Sequence, residues 1–166
     1  SAPARILLLQ HVSESMLQTL RGDKSAPPLP PPNWGETYSR EMRQWTYVVG
    51  NASRYRETTL AVLCREGVVR RVWKRDWQEF GENEEWSTFM IVECELQPWA
   101  QVANVDSLVV ATIDISPEAT MSTAMGLLRS FAMAALQHQV RVVVGTSARR
   151  SGASGASWKR MASALT

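Results

Sequence analysis

The clearest hydrophobic pattern in the chain is a helical run flanked by two strand-like runs. The flanking runs, Leu108–Ile115 and Val140–Val144, are short, apolar and rich in β-branched residues. Between them, apolar residues recur at steps of three and four. Ser116 is typical of a helix N-cap, and Pro117 suits the first helical position. We therefore predict a helix over about 117–137. If the two strands are neighbours, they are parallel and joined by a right-handed crossover.

Upstream of this unit the pattern changes to the alternation of apolar and polar residues that predicts strands. The predicted strands cover residues 43–50, 57–65, 68–77 and 86–96. Glu66-Gly67 stands between the second and third, and indicates a hairpin turn. The predicted class is α+β: a mixed, mostly antiparallel sheet of five or six strands, with the long helix packed across it and further helices at the termini.

The same pattern divides the chain into four parts. Residues 1–24 have apolar residues at helical spacing and are predicted to form an N-terminal helix. Residues 25–34 are rich in proline, which predicts a stiff connector or, alternatively, a ligand for an aromatic groove of another protein. Residues 35–145 form the α+β core. Residues 146–166 are basic and rich in glycine and serine, which predicts a flexible tail with a short C-terminal helix.

Composition adds little except about the two cysteines. A hydrophobic fraction of 45% and a net charge of +2 are ordinary for a globular protein. Cys64 and Cys94 lie in apolar runs, which favours buried free thiols; one disulfide is the alternative. Neither a secretory signal nor a membrane span is recognisable, so we expect an intracellular protein that does not enter a membrane.

The sequence offers little support for catalysis. His11 and His138 are the only histidines, and neither accompanies a nucleophile and an acid in a recognisable arrangement. Glycine loops that hold phosphate are absent from the sequence, and two cysteines with two distant histidines give no zinc spacing. We therefore predict a binding or structural domain with no catalytic residue, metal or cofactor.

Binding chemistry is better supported, by two tryptophans with basic neighbours on one predicted strand. Trp73 and Trp77 are four residues apart and should share a face of a regular strand, with Lys74 on the other face. Indole rings can stack on nucleic-acid bases, and a basic neighbour can hold phosphate. Alternatively, both tryptophans belong to the core. On the first interpretation Trp73, Lys74 and Trp77 are ligand-binding residues.

Two parts of the chain resemble a known family. The strand–helix–strand pattern of residues 108–145 resembles that of the cap-binding domain of orthomyxovirus polymerase basic protein 2. Upstream, Thr59–Gly67 resembles the strand of that family that leads into a Glu-Gly turn. The resemblance covers residues 57–74 and 108–145, about half the chain. It implies a cap-binding-like domain of a viral RNA polymerase subunit from a divergent, thogotovirus-like member.

The resemblance also implies candidate site residues. In the family, the methylated guanine cap of host mRNA lies between two aromatic side chains, and an acid binds its edge. In this sequence the matching positions hold Arg65, Met133 and Val69, and Phe131 lies two residues before Met133. Cap binding is therefore expected to be weak or absent, with Arg65 and Phe131 as further ligand-binding candidates.

The resemblance implies the setting of the protein as well. The expected function is in viral transcription by cap snatching, with other viral polymerase subunits and RNA or capped mRNA as partners. The host nucleus and the virion are the expected locations. The alternatives are a viral RNA-binding accessory protein that stacks bases on tryptophan, or a protein-interaction module.

Overall fold

The computed structural model describes residues 6–13, 15–16, 45–51, 58–65, 67–101 and 105–147. These residues form seven strands and one long helix, with two short 3-10 helices at Asn83–Glu85 and Pro98–Ala100. The strands are β1 (Ile6–Ser13), β2 (Trp45–Val49), β3 (Thr58–Arg65), β4 (Val69–Phe80), β5 (Ser87–Leu96), β6 (Ser107–Ile115) and β7 (Val142–Ser147), and the helix is α1 (Met121–Gln137).

The strands form two sheets. Sheet A has the order β1-β3-β2, and β3 is antiparallel to both neighbours. Sheet B has the order β4-β5-β6-β7; its first three strands are antiparallel, while β6 and β7 are parallel and are joined through α1. The predicted parallel strand–helix–strand unit is therefore confirmed.

The main hydrophobic core lies between the two sheets. Leu60, Val62 and Cys64 of β3 contact a row from β5 that includes Met90 and Val92, and all five are at most 1% exposed. Burial of such side chains contributes about 1.5–3 kcal/mol each. Because neighbouring residues of a strand point to opposite faces, the alternate residues of β5 face away from sheet A.

Those alternate residues of β5 lie against α1. Phe89 and Ile91 form a second buried cluster with Leu127 and Ala124 of the helix. The described architecture thus has three layers, sheet A, sheet B and helix. It confirms the α+β class, the mostly antiparallel pairing and the packing of one long helix against the strands. The expected single sheet is instead divided into two.

The predicted hairpin around Gly67 is wrong. The chain does turn there, since the amide of Val68 donates to the carbonyl of Arg65 at 2.9 Å. However, β3 pairs with β1 and β2, while β4 pairs with β5. The turn therefore carries the chain from one sheet to the other, so that both strands contribute to the core between the sheets.

The predicted N-terminal helix is also wrong, because Ile6–Ser13 forms strand β1. Both faces of this strand carry apolar side chains. Leu7 and Leu9 contact a cluster on one face of sheet A, while Ile6 and Leu8 contact the core between the sheets. A strand of this kind has a continuous apolar run that alternation does not reveal. The proline-rich connector and the C-terminal helix lie outside the described residues, and β7 extends two residues into the predicted tail.

Helix α1 begins four residues later than predicted. Ser116 is buried; its hydroxyl donates to the carbonyl of Glu84 and accepts from the amide of Glu118, within a separate turn. The N-cap is Thr120, whose hydroxyl accepts from the amide of Thr123 at 3.2 Å. Ser116 and Thr120 both have side chains that suit an N-cap. In the fold, both hydroxyls also donate to the 3-10 helix of residues 83–85, Ser116 to Glu84 and Thr120 to Glu85.

Glu85 stabilises this helix start and gives it a pH dependence. Its Oε2 accepts hydrogen bonds from the hydroxyls of Thr123 at 2.8 Å and Thr120 at 3.2 Å. The hydrogen bond from Thr123 is the main reason that the pKa of Glu85 is lowered. Hydrogen bonds from Thr120 lower this pKa further, whereas desolvation of the carboxylate raises it. A lowered pKa means that the carboxylate form stabilises the folded state.

We therefore expect Glu85 to contribute stability at neutral pH. The contribution should be lost as the pH falls through the depressed pKa of the folded protein. The difference in melting temperature between the wild type and Glu85→Gln should shrink on acidification, and thermal unfolding between neutral and acidic pH measures it. Glu84→Gln, with an exposed side chain in the same short helix, is the matched control. An unchanged difference at low pH would contradict this role.

Candidate nucleic-acid interface

Strand β4 contains a bulge that separates the two predicted stacking residues. Trp73 lies opposite Glu93, and Trp77 lies opposite Met90, with a register shift between Lys74 and Asp76. Residues paired in an antiparallel sheet point to the same face. Trp77 therefore faces sheet A together with Met90, whereas Trp73 shares the opposite face with Glu93. The prediction that the two tryptophans share one face is wrong, because the extra residue of a bulge reverses the alternation.

Trp77 is half-buried and packs against the core between the sheets. Its ring contacts the apolar cluster between the sheets and lies 6.5 Å from the ring of the buried Trp86. Its Nε1 donates to Glu79 at 2.9 Å. The backbone of Gly50 lies so close that an added Cβ would come within 2.2 Å of the indole. Trp77 is thus held on several sides by the protein itself, and its role in ligand binding stays a prediction.

Lys74 also faces Trp77, contrary to the prediction that it points to the other side of the strand. Its ammonium lies 5.7 Å from the centre of the Trp77 ring and donates to Oδ1 of Asn51 at 2.6 Å. It therefore links sheet B to Asn51, two residues after the end of β2. The side chain of Lys74 is exposed. It contacts Asn51 and Trp77, which lie on the opposite face of β4 from Trp73.

Trp73 stands among arginines on the face of sheet B that also carries α1. The guanidinium of Arg75 lies 5.1 Å from the centre of the Trp73 ring and binds Glu93. Arg70 and Arg71 reach the two oxygens of Glu95 at 3.4 and 3.9 Å. We call Arg70, Arg71, Trp73 and Arg75 the tryptophan–arginine row.

The row lies outside the cluster covered by the helix. That cluster includes Phe80 of the same strand but not Trp73. In addition, the arginine side chains of the row are 44–70% exposed, whereas the carboxylates of Glu93 and Glu95 beneath them are 14% and 29% exposed. The outermost charges of this surface are therefore positive, and the glutamates hold the guanidinium groups in place. Trp73 is half-buried, which leaves part of its indole open to a ligand.

Arg65 and Phe131 do not join this row. Arg65 ends β3, where alternation places it on the face of sheet A that lies away from sheet B. Phe131 packs beneath the helix, with its ring 5.4 Å from that of the buried Phe89 in an edge-to-face arrangement. Phe131 is thus half-buried against the cluster beneath the helix, and its role in ligand binding stays a prediction.

The positions that match the cap-binding pocket are also apart. Val69 is 2% exposed and lies in the core between the sheets. Met133 is 74% exposed on the outer side of α1. Arg65, Val69 and Met133 thus occupy an outer sheet face, the core and the outer helix face, and these three positions do not line one pocket.

A second polar cluster, which the sequence did not reveal, lies where β1 of sheet A contacts β6 of sheet B. His11 has a positive φ of 54°, and its Nε2 lies 3.4 Å from the carboxylate of Asp114, whose side chain is 5% exposed. Next to it, the side-chain amide (Nε2) of Gln10 donates to the backbone carbonyl of Ile113 at 2.7 Å. These contacts join β1 to β6 across the two sheets. A signal was present in the polar pair Gln10-His11 that interrupts an apolar run.

Two further features of the described residues bear on function. In those ranges no three His, Cys, Asp or Glu side chains are grouped closely enough to hold a metal ion. No helix in the part of the chain that the structure describes has the length and apolarity needed to cross a membrane.

Comparisons with known proteins give distant structural similarity to solved structures. The sequence matches no family model and no curated protein. Among solved structures, the crystal structure of TDP2 from Caenorhabditis elegans is similar, with 14% identity and a TM-score of 0.44. The similarity covers 89% of this chain and 41% of TDP2. A similarity of this strength carries no argument about function.

Proposed function

We propose that this chain is an RNA-binding domain with weak or absent recognition of a methylated cap, of the kind expected in a divergent viral polymerase subunit. The observation that carries the proposal is the tryptophan–arginine row on β4. Its role is binding rather than catalysis, and the ligand is single-stranded RNA, because a base must leave a duplex to stack on an indole.

The chemistry of the row fits an RNA strand. A base can stack on the open part of Trp73 or on the outer face of the Arg75 guanidinium, which already lies against the indole. Arg70 and Arg71 are two residues or more from Trp73 along the strand, where they can bind backbone phosphates. Phosphate contacts of this kind are independent of sequence, so the proposal predicts little base specificity.

The absence of cap recognition is supported by the three positions that match the family's pocket. A cap base needs two aromatic faces and an acid that converge on it. Here the matching side chains are Arg65, Met133 and Val69, and they point to separate parts of the fold. Neither a second aromatic face nor an acid is supplied by these positions.

Measurement of RNA affinity tests the proposal. We expect a single-stranded oligoribonucleotide to bind the intact chain with a logarithmic salt slope of about −2, for some three neutralised phosphates. Trp73→Ala should weaken binding about 10–100-fold at fixed salt, since one stacked base contributes about 1–3 kcal/mol. A double variant, Arg71→Gln with Arg75→Gln, should weaken RNA binding and make the salt slope less negative. Fluorescence anisotropy at several salt concentrations measures both quantities.

The matched control is Arg129→Gln, which removes an exposed arginine from the helix outside the row and should leave affinity nearly unchanged. A methylated cap analogue should not compete with the oligonucleotide. If Arg129→Gln weakened RNA binding as much as the variants of the tryptophan–arginine row, the binding would be general charge attraction and the row would not be the RNA site. Competition at micromolar analogue would show that the cap is recognised after all.

Membership in a polymerase subunit is the part of the proposal that rests on the sequence resemblance. It implies other polymerase subunits as partners, and the host nucleus and virion as locations. The reading frame around this sequence tests it: a much longer frame encoding the rest of a polymerase subunit supports it, and a frame that encodes an unrelated protein overturns it.

A further inference from the structure

The two cysteines face each other across the core between the sheets. Cys64 lies on β3, the central strand of sheet A, and Cys94 lies on β5, an inner strand of sheet B. Both are free thiols with no exposed surface, and their Sγ atoms are 3.4 Å apart. A disulfide bond is about 2.05 Å long, so the sulfurs need to approach by only about 1.4 Å.

We propose that Cys64 and Cys94 form a modification site, at which a small disulfide such as oxidised glutathione converts the pair into a covalent link between the two sheets. One cysteine thiolate attacks a sulfur of oxidised glutathione and releases one glutathione thiolate. The other cysteine thiolate then attacks the mixed disulfide at the protein sulfur and releases the second. The two protons leave with the two glutathione molecules, and the protein pair is oxidised by two electrons.

Burial determines when this reaction takes place. Thiolates are the attacking species, and the hydrogen bond with Cys94 together with burial raises the pKa of Cys64 above its usual range. In the folded protein the attacking thiolate form of Cys64 is therefore disfavoured, and neither sulfur has surface exposed to reagents. During folding, before the sheets close, both thiols are accessible. The redox conditions at the time of folding thus decide which form is made, and the closed core then preserves it.

The link should stabilise the fold considerably. It connects two chain segments that meet only through non-covalent contacts in the core, and it shortens the loop available to the unfolded chain. For a link of this kind we expect the melting temperature to rise by about 5–10 °C. The neighbouring side chains are apolar, including Val62, Val92 and Met90, so neither form leaves a charge in the core.

Refolding the intact chain tests the proposal. Unfolded protein is diluted into buffer with oxidised or with reduced glutathione, and thiols are then counted in denaturant. We expect no free thiol and a Cys64–Cys94 peptide link by mass spectrometry after oxidised refolding, and two free thiols after reduced refolding. The linked form should melt at the higher temperature. Folded dithiol protein placed in the same oxidised buffer should react far more slowly than refolding protein.

Cys64→Ala and Cys94→Ala serve as controls that cannot form the link. The proposal is overturned if the wild type refolded in oxidised glutathione keeps two free thiols, carries bound glutathione without a link, or melts at a lower temperature when linked. Equal rates for folded and refolding protein would overturn the claim that folding fixes the redox form. These readouts use the wild type, so they remain decisive if an alanine variant fails to fold.

Discussion

Trp77→Ala is expected to lower the free energy of unfolding by about 3–5 kcal/mol, the range for removal of a packed tryptophan. The ring lies against the backbone of Gly50, the ring of Trp86 and the apolar cluster between the sheets. These neighbours belong to different elements, so they cannot close together over the space that the indole leaves. The hydrogen bond from the indole to Glu79 is also lost.

Trp73→Ala is the matched comparison, because it removes the same side chain from the same strand on the other face. Trp73 is half-buried and stacks mainly with Arg75, so we expect a loss of about 1 kcal/mol or less in stability. Chemical denaturation of both variants measures the difference. The assignment of Trp77 to the core and Trp73 to the surface fails if Trp73→Ala is the more destabilising change.

A loss of similar size, about 3–5 kcal/mol, is expected for Phe89→Ala. Phe89 has no exposed surface and lies at the centre of three rings, 6.4 Å from Phe80 and 5.4 Å from Phe131. Phe80 comes from the neighbouring strand and Phe131 from α1, so this side chain joins the helix to two strands. Its removal should loosen the helix layer before it affects the core between the sheets.

Phe131→Leu is the matched control for the helix side of this contact. It keeps an apolar side chain beneath the helix, so we expect a loss of about 1–2 kcal/mol. Denaturation followed by circular dichroism measures both variants, and hydrogen exchange of the α1 amides shows whether the helix opens first. Unchanged exchange in α1 together with faster exchange in sheet A would contradict this role of Phe89.

The strand–helix–strand unit was predictable because its elements satisfy local rules. Its strands are buried and β-branched, and its helix has one apolar face that covers Phe89 and Ile91. The class follows from that unit and from the alternating strands upstream. The start of α1 was harder to place, because Ser116 and Thr120 both suit a cap and only contacts with the 3-10 helix of residues 83–85 distinguish them.

Features that depend on distant pairing were not predictable. Strand β1 has apolar side chains on both faces, so its pattern does not distinguish a strand from a helix. The turn at Gly67 looks the same whether it closes a hairpin or passes between sheets.

The candidate site also contains a feature that the sequence pattern could not predict, within the single strand β4. Trp73 was found from its basic neighbours, but the bulge after Lys74 is invisible in a pattern of alternation. One extra residue there places Trp73 on the helix-bearing face of sheet B and Trp77 on the face toward sheet A.

The position of β1 has a consequence for the order in which the protein folds. Ile6 lies opposite Cys64 in sheet A, although the chain between them is long and also supplies β2. Closing this long loop to pair β1 with β3 costs more entropy than closing the shorter loop between β2 and β3. During synthesis, β1 can therefore pair with β3 only after β3 has left the ribosome. Until then the leucines of β1 lack their partners in the fold, and exposed apolar surface of this kind promotes aggregation.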